Sequence, residues 1–133
     1  MTELAELPGE LFVYKFASLA TVPFDSLVAI GQSTFWNLAA TPDEVSLVAP
    51  ALVVGDDVPV VGPWIGFRVL GNLDFALTGI LAALTLPLAA AGVSVFSVST
   101  YDTDYLLVKS ATRSAAIAAW MDAGISCESS QPD

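Results

Sequence analysis

A chain of 133 residues is long enough to form one compact unit, or two small units that share a core. Apolar residues make up 55% of it and charged residues 14%, against roughly one quarter in most soluble domains, so we expect a partner subunit to cover part of its surface. Four basic residues stand against 14 acidic ones, and because a phosphate backbone is bound by clustered Lys and Arg, this balance excludes a nucleic-acid partner.

The first half of the chain predicts strands around one short helix. Residues 11–18 alternate in the manner of a strand, and residues 24–32 favour a short helical turn. Residues 34–40 and 45–50 predict a hairpin, because the TPDE between them is typical of a tight turn. The two prolines and two glycines in residues 55–63 predict a loop and a domain boundary.

The second half begins with a predicted strand at 64–71, followed by a helix at 75–91. Asp74 is placed to cap the start of this helix, and Gly92 is placed to end it. The uncharged stretch 75–101 is long enough to span a membrane. A proline interrupts it, and its second part is rich in Val, Phe, Ser and Thr, so we expect helix, turn and strand and no membrane partner.

Two further strands and a last helix complete the chain. Residues 93–100 and 105–109 predict a hairpin, and Ser110 or Thr112 is placed to cap a helix that ends near Ala123. The ISC that follows predicts a short closing strand. The second half therefore has the order β-α-β-β-α-β of a ferredoxin-like unit, and the first half has the order of a shorter copy without its last helix.

Residues 71–109, GNLDFALTGILAALTLPLAAAGVSVFSVSTYDTDYLLVK, resemble the ACT-domain family. The resemblance covers about 64–124 and depends on the combination of LTGILA, PLA, AGVSVF and STYDTDYLLV. The chain is similar to small standalone bacterial ACT proteins, which resemble the ACT repeats of cytosolic arginine sensors and the regulatory end of aspartate kinases. DEVSLVAP in the first half is similar to the same branch.

This resemblance implies an α+β fold of ferredoxin-like βαββαβ (ACT) type, with antiparallel sheets and helices on one face. We expect two tandem ACT-like subdomains, of which the first is reduced. The predicted division is a reduced subdomain at 1–60, an ACT domain at 61–127 and a disordered tail at 128–133.

The resemblance also implies a non-catalytic, allosteric regulatory domain in a cytoplasmic homodimer. Such a domain binds a small molecule, typically an amino acid, at a seam between ACT units, and no metal or cofactor is expected. Carried over position by position, the ligand contacts are Gly71, Asn72, Leu73, Asp74, Thr78, Gly79, Ser99, Thr100, Asp102, Thr103 and Asp104. In the arginine sensors an aspartate of the corresponding turn holds the cationic side chain of the ligand, and Asp104 is the candidate for this role, with Asp102 close beside it.

The residue chemistry supports the same site and also leaves a simpler reading open. Free N–H groups at a helix start can bind a carboxylate, and carboxylates and hydroxyls at 99–104 can bind an ammonium group. However, Asp and Thr are ordinary hairpin-turn residues that often bond their own backbone. Asp74 is also a helix cap, the two glycines also suit turns or packing, and Arg68 suits an ion pair with an acid as well as a ligand carboxylate.

An enzyme is not expected from these residues. The chain has no histidine to activate a serine, and it has no glycine-rich phosphate loop. Asp102 and Asp104 could act as paired acids or bind Mg²⁺, but two acids on one tight turn are badly placed to flank a substrate. The single cysteine, Cys127, excludes an intrachain disulfide and fits a reducing compartment. The alternative function is a structural oligomerisation module without a ligand.

Overall fold

The computed structural model describes residues 2–70 and 78–129. The chain divides into a smaller unit, Gly9–Pro63, and a larger unit formed by Met1–Pro8 with Trp64–Asp133. The described residues form these strands and helices, in chain order: β1 (Glu3–Glu6), β2 (Leu11–Phe16), α1 (Phe24–Ile30), β3 (Asn37–Ala40), β4 (Val45–Ala49), β5 (Val60–Val69), α2 (Ile80–Ala90), β6 (Val95–Ser99), β7 (Asp104–Lys109), α3 (Arg113–Asp122) and β8 (Ser126–Glu128).

The smaller unit is a three-stranded antiparallel sheet with one short helix. Its strand order is β3-β4-β2, with Tyr14 of β2 opposite Leu47 of β4. Both residues are buried in one apolar cluster with Leu27 of α1. The Tyr14 hydroxyl donates a hydrogen bond to the carbonyl oxygen of Pro50 at 3.1 Å and accepts one from the N–H of Leu52 at 2.9 Å, which fixes the chain as it leaves β4. The order strand, helix, strand, strand is the predicted one.

The larger unit has the predicted βαββαβ order from β5 to β8. Its sheet runs β8-β1-β5-β7-β6, and its strand pairs are antiparallel except for the parallel pair β1–β8. The N-terminal strand β1 lies between the first and last strands of this order, with Leu4 opposite Val69 and Cys127. The sequence does not predict this strand, because β1 is too short to show a clear period and its partners are distant in sequence.

The core of the larger unit lies between its sheet and the two helices α2 and α3. Buried side chains from β1, β5 and β7 pack with Leu84 and Leu88 of α2 and with Trp120 of α3, so both helices cover the same face of the sheet. The Trp120 indole N–H donates to the carbonyl oxygen of Leu84 at 2.8 Å, and its ring contacts Phe67 edge to face at 4.9 Å between centroids. The ferredoxin-like α+β fold predicted from the sequence is therefore confirmed.

The helix α2 starts later than predicted. It begins at Ile80 rather than at 75, because Gly79 has a φ of 80°, a left-handed conformation that a right-handed helix cannot continue through. The predicted cap Asp74 lies outside the described residues. The described part of the stretch 75–101, which begins at residue 78, forms a helix, a turn and a strand, as predicted. In the described part of the chain, no helix combines the length and the apolar character that a membrane crossing requires.

Two other element ends differ from the sequence prediction. Strand β5 begins at Val60, so the second half of the predicted loop 55–63 belongs to a strand. The prolines there suggested a loop, but a strand end tolerates proline. Thr112 directly precedes α3, yet its hydroxyl donates backwards to the carbonyl oxygen of Lys109 at 2.9 Å and caps no N–H of the helix. Residues 130–133 of the predicted tail lie outside the described residues, and the predicted boundaries stay a prediction.

Candidate ligand site

The turn between β6 and β7 is closed by the polar side chains that the sequence singled out. Ser99 and Asp104 are opposite each other in the last strand pair, and the Ser99 hydroxyl donates to a carboxylate oxygen of Asp104 at 2.6 Å. The N–H of Thr100 donates to the carbonyl oxygen of Thr103 at 2.8 Å. Asp102 is exposed within this turn and Asp104 is half-buried at its end. The turn thus presents two carboxylates, one of which is oriented by a hydroxyl.

Thr103 joins this turn to the end of β5. Its side chain is buried, and its hydroxyl donates to the carbonyl oxygen of Val69 at 2.7 Å. Val69 is the last residue of β5, two positions before the predicted ligand segment that starts at Gly71. The turn is therefore held beside the point from which that segment departs.

The other predicted contact residues lie before α2. Thr78 and Gly79 are exposed, and the carbonyl oxygen of Gly79 accepts the first helical hydrogen bond from Ala83 at 2.9 Å. None of the described side chains caps the start of α2, so its first N–H groups face no described side-chain acceptor. Four further predicted residues lie outside the described residues: Gly71, Asn72, Leu73 and Asp74. The assignment of ligand contacts therefore stays a prediction.

The expected pairing of Arg68 with an acid is not found among the described residues. Arg68 is exposed on β5, opposite Ala5 on one side and Tyr105 on the other. The ion pair of the described part joins Glu6 and Arg113 instead. Arg68 is exposed because it stands on the side of β5 that the core cluster does not use.

An ion pair between Glu6 and Arg113 joins β1 to α3 and is not predicted from the sequence. The two guanidinium nitrogens Nε and Nη2 each donate to a carboxylate oxygen at 2.7 Å, and the Glu6 side chain is 1% exposed. The hydrogen bond to Glu6 raises the pKa of Arg113 above its ordinary value, with burial opposing the shift. Leu4 and Glu6 both point to the buried side of β1, but a four-residue strand is too short for this spacing to serve as a signal in the sequence. The pair is structural, since it holds together elements from the two ends of the chain.

Cys127 lies beside this pair. Burial raises the pKa of its thiol to about 11, the Glu6 carboxylate adds to the shift, and Arg113 opposes it. The thiol is therefore a weak nucleophile near neutral pH, since the thiolate is the reactive form.

Cys127 is expected to react with iodoacetamide far more slowly in the folded protein than in urea. With a pKa near 11, about one thousandth of the thiol is ionised at pH 8, against about a quarter for a thiol of ordinary pKa near 8.5. The rate is measured by mass spectrometry, and it should rise about tenfold per pH unit between pH 8 and 10. Equal rates in the folded and unfolded protein would contradict this account of the site.

Thr103→Val is expected to lower the free energy of unfolding by about 1 kcal/mol, because it removes the buried hydrogen bond to Val69 while keeping the shape of the side chain. Urea unfolding measures the loss. Ser99→Ala is the matched control, since it removes an exposed bond of the same turn and should change stability by less than about 0.5 kcal/mol. Equal losses in the two variants would show that Thr103 does not anchor the turn.

Comparison with known proteins identifies the family of the larger unit. Residues 60–120 match the family model of the ACT domain. These residues form an ACT domain. The family predicted from the sequence is thereby confirmed. Curated protein sequences gave no match to the chain.

Solved structures with an ACT fold agree with this identification. A structural-genomics protein from Agobacterium tumefaciens is 27% identical, with a TM-score of 0.85 over 98% of this chain and 95% of that one. The aspartate kinase of Clostridium acetobutylicum, whose structure is described as that of an allosteric enzyme, is 14% identical, with a TM-score of 0.65 over 90% of this chain and 34% of that one. The regulatory subunit of aspartate kinase from Thermus thermophilus, in its ligand-free form, is 8% identical, with a TM-score of 0.58 over 86% and 93%. At the last two identities the likeness shows the fold alone.

Proposed function

We propose that the chain is a non-catalytic regulatory domain of the cytoplasm that binds a free amino acid, with the ligand held where the ACT domains of two copies meet. The observation that carries the proposal is the bond from Thr103 to Val69, which holds the carboxylate-bearing turn beside the start of segment 71–79. This bond supports the expectation that the two segments contribute to one cleft. The ACT fold shared with a regulatory subunit of aspartate kinase also favours it.

The charges of an amino acid suit the two sides of this cleft. The first N–H groups of α2 lie at the positive end of the helix dipole and can donate hydrogen bonds to a ligand carboxylate. Asp104, with Ser99 bonded to one of its oxygens, keeps lone pairs for an ammonium or guanidinium group. Asp102 is exposed and can supply a second carboxylate. A ligand with a cationic side chain therefore fits best.

A homodimer is supported by the apolar surface of the two helices. Helix α2 carries no charged residue, Leu86 is 66% exposed on it, and Met121 is 64% exposed on α3. A helix that is apolar on all sides is normally covered. In the described part of the chain β6 pairs with β7 alone, so a sheet edge is also free to pair. We propose that two copies associate through the helix sides or through sheet edges.

A structural oligomerisation module is the second candidate function. It is favoured by the self-contained turn, in which Ser99 bonds Asp104, Thr100 bonds Thr103, and Thr103 bonds Val69. Such a turn is complete without a ligand. A dimer in light scattering together with an unchanged melting temperature in all twenty amino acids would support this candidate and contradict ligand binding.

At least one of the twenty amino acids is expected to raise the melting temperature, and Asp104→Ala is expected to abolish the rise. A ligand present at 100 times its dissociation constant stabilises the folded state by about 2.7 kcal/mol, which corresponds to several degrees in a chain of this size. The variant removes the carboxylate that holds the cationic group, so the rise should fall to within experimental error. Differential scanning fluorimetry measures both effects.

Asp43→Ala is the matched control, because Asp43 is an exposed turn aspartate of the smaller unit. It should keep the full response, and both variants should keep the circular dichroism of the parent. An undiminished response in Asp104→Ala would remove Asp104 from the site.

A further inference from the structure

We infer that the smaller unit contains a second ligand site, a pocket beside Lys15 and Asp57 that binds a small zwitterion of the amino-acid class. The pocket has a volume of about 490 Å³ and lies entirely among residues of this unit. This volume falls in the range of small-molecule sites, about 300–1,000 Å³. None of its residues belongs to the site proposed above, so each of the two sites can be tested independently of the other.

Two chain segments joined by a backbone bond form the walls of the pocket. One wall is the end of β2, with Lys15 and Phe16, and the other is the segment 57–59 that precedes β5. The N–H of Lys15 donates to the carbonyl oxygen of Pro59 at 3.1 Å, which holds the walls together. Phe16 is 3% exposed and Val58 packs against the same core, so the pocket has an apolar side that is already in place without a ligand.

The pocket carries one cation and one anion that do not pair with each other. Lys15 and Asp57 both line it and both are exposed, and no ion pair within 4 Å joins these two described residues. The cross-strand neighbour of Lys15 on β4 is Ser46, so no acid stands opposite the ammonium group there. An ammonium group donates and a carboxylate accepts, so the two can take the carboxylate and the ammonium of one zwitterion. A ligand with a single charge would leave one of them unmatched.

The turn that carries Asp57 contains a glycine suited to this arrangement. The N–H of Val58 donates to the carbonyl oxygen of Gly55 at 3.1 Å, which closes the turn. A Cβ atom at Gly55 would lie 2.7 Å from a carboxylate oxygen of Asp57. Gly55→Ala must therefore move the carboxylate, and because a carboxylate at the end of a side chain moves easily, the fold should tolerate the change. The substitution displaces the anion without removing its charge.

The test is isothermal titration calorimetry of the full chain with each of the twenty amino acids. It uses the Asp104→Ala background, in which the site proposed above is disabled. We expect at least one amino acid to bind, and we expect its N-acetyl derivative and its amide, each of which lacks one of the two charges, to bind at least tenfold more weakly. Lys15→Met and Asp57→Asn should each weaken binding at least tenfold, and Gly55→Ala should weaken it by a smaller factor.

Lys109→Met and Asp56→Asn are the matched controls, since they remove a strand cation outside the pocket and the acid adjacent to Asp57. Both should bind as the background does. Absence of binding by all twenty amino acids in this background, or binding that Lys15→Met and Asp57→Asn leave unchanged, would overturn the inference. Equal binding of the N-acetyl derivative would overturn the zwitterion assignment. If the parent chain binds an amino acid and the Asp104→Ala variant does not, the ligand belongs to the site proposed above and the inference is overturned.

Discussion

Arg113→Met is expected to lower the free energy of unfolding by about 3–5 kcal/mol, because it leaves the carboxylate of Glu6 buried without its cation. The Glu6 side chain is 1% exposed and Arg113 is its ion-pair partner, with two bonds of 2.7 Å. A typical folded domain is stable by about 5–15 kcal/mol, so the loss is a large part of the total. Urea unfolding followed by circular dichroism measures it.

The opposite substitution should cost less. Glu6→Gln leaves a guanidinium whose side chain is 26% exposed, and water can solvate part of it, so we expect a loss of about 1–3 kcal/mol. The double variant Glu6→Gln and Arg113→Met should lose less stability than the sum of the losses in the two single variants, because it no longer contains the buried carboxylate charge. A larger loss in Glu6→Gln than in Arg113→Met, or strict additivity, would contradict this description of the pair.

Trp120→Ala is expected to lower the free energy of unfolding by about 3–5 kcal/mol, the cost of removing a large aromatic side chain from a packed core. Trp120 is 0% exposed and lies between the helix α2, which it contacts through the 2.8 Å bond to Leu84, and Phe67 of the sheet. Trp120→Phe keeps most of the volume and loses the bond, so its loss should be intermediate. Chemical unfolding is again the measurement.

Met121→Ala provides the matched control for this substitution. Met121 is the next residue of the same helix and is 64% exposed, so its truncation should change the stability of the monomer by less than about 0.5 kcal/mol. A similar loss in both variants would mean that α3 does not pack through Trp120. If the stability of the parent rises with protein concentration and Met121→Ala weakens this dependence, the exposed face of α3 contacts a second copy.

The parts of the fold that depend on local pattern could be predicted from the sequence. The β6–β7 hairpin was placed within two residues, because its alternation is bounded by a turn of Asp and Thr. Helix α3 ends at Asp122, within one residue of the expected end near Ala123, and Gly124 follows with a left-handed φ of 82°. In both cases the residues that predict the element lie within a few positions of its end.

The parts that depend on distant partners could not be predicted. Strand β1 is four residues long. Its place is fixed by pairing with β5 and β8 and by the hydrogen bond that Arg113 donates to Glu6, 107 residues away. The pocket beside Lys15 was missed for the same reason, because its second wall comes from residues 57–59. The turn residues of the candidate site were predicted by family resemblance, and spacing alone could not separate a ligand contact from an ordinary turn bond.

Amino-acid capture by the larger unit is tested most directly by two-dimensional ¹H–¹⁵N NMR of the full chain during titration with the amino acid that stabilises it most. We expect the amide signals of 99–104 and of 78–80 to shift together, with one dissociation constant, and to remain unshifted in Asp104→Ala. Signals in both segments that stay unmoved at saturating concentrations of all twenty amino acids would contradict amino-acid capture.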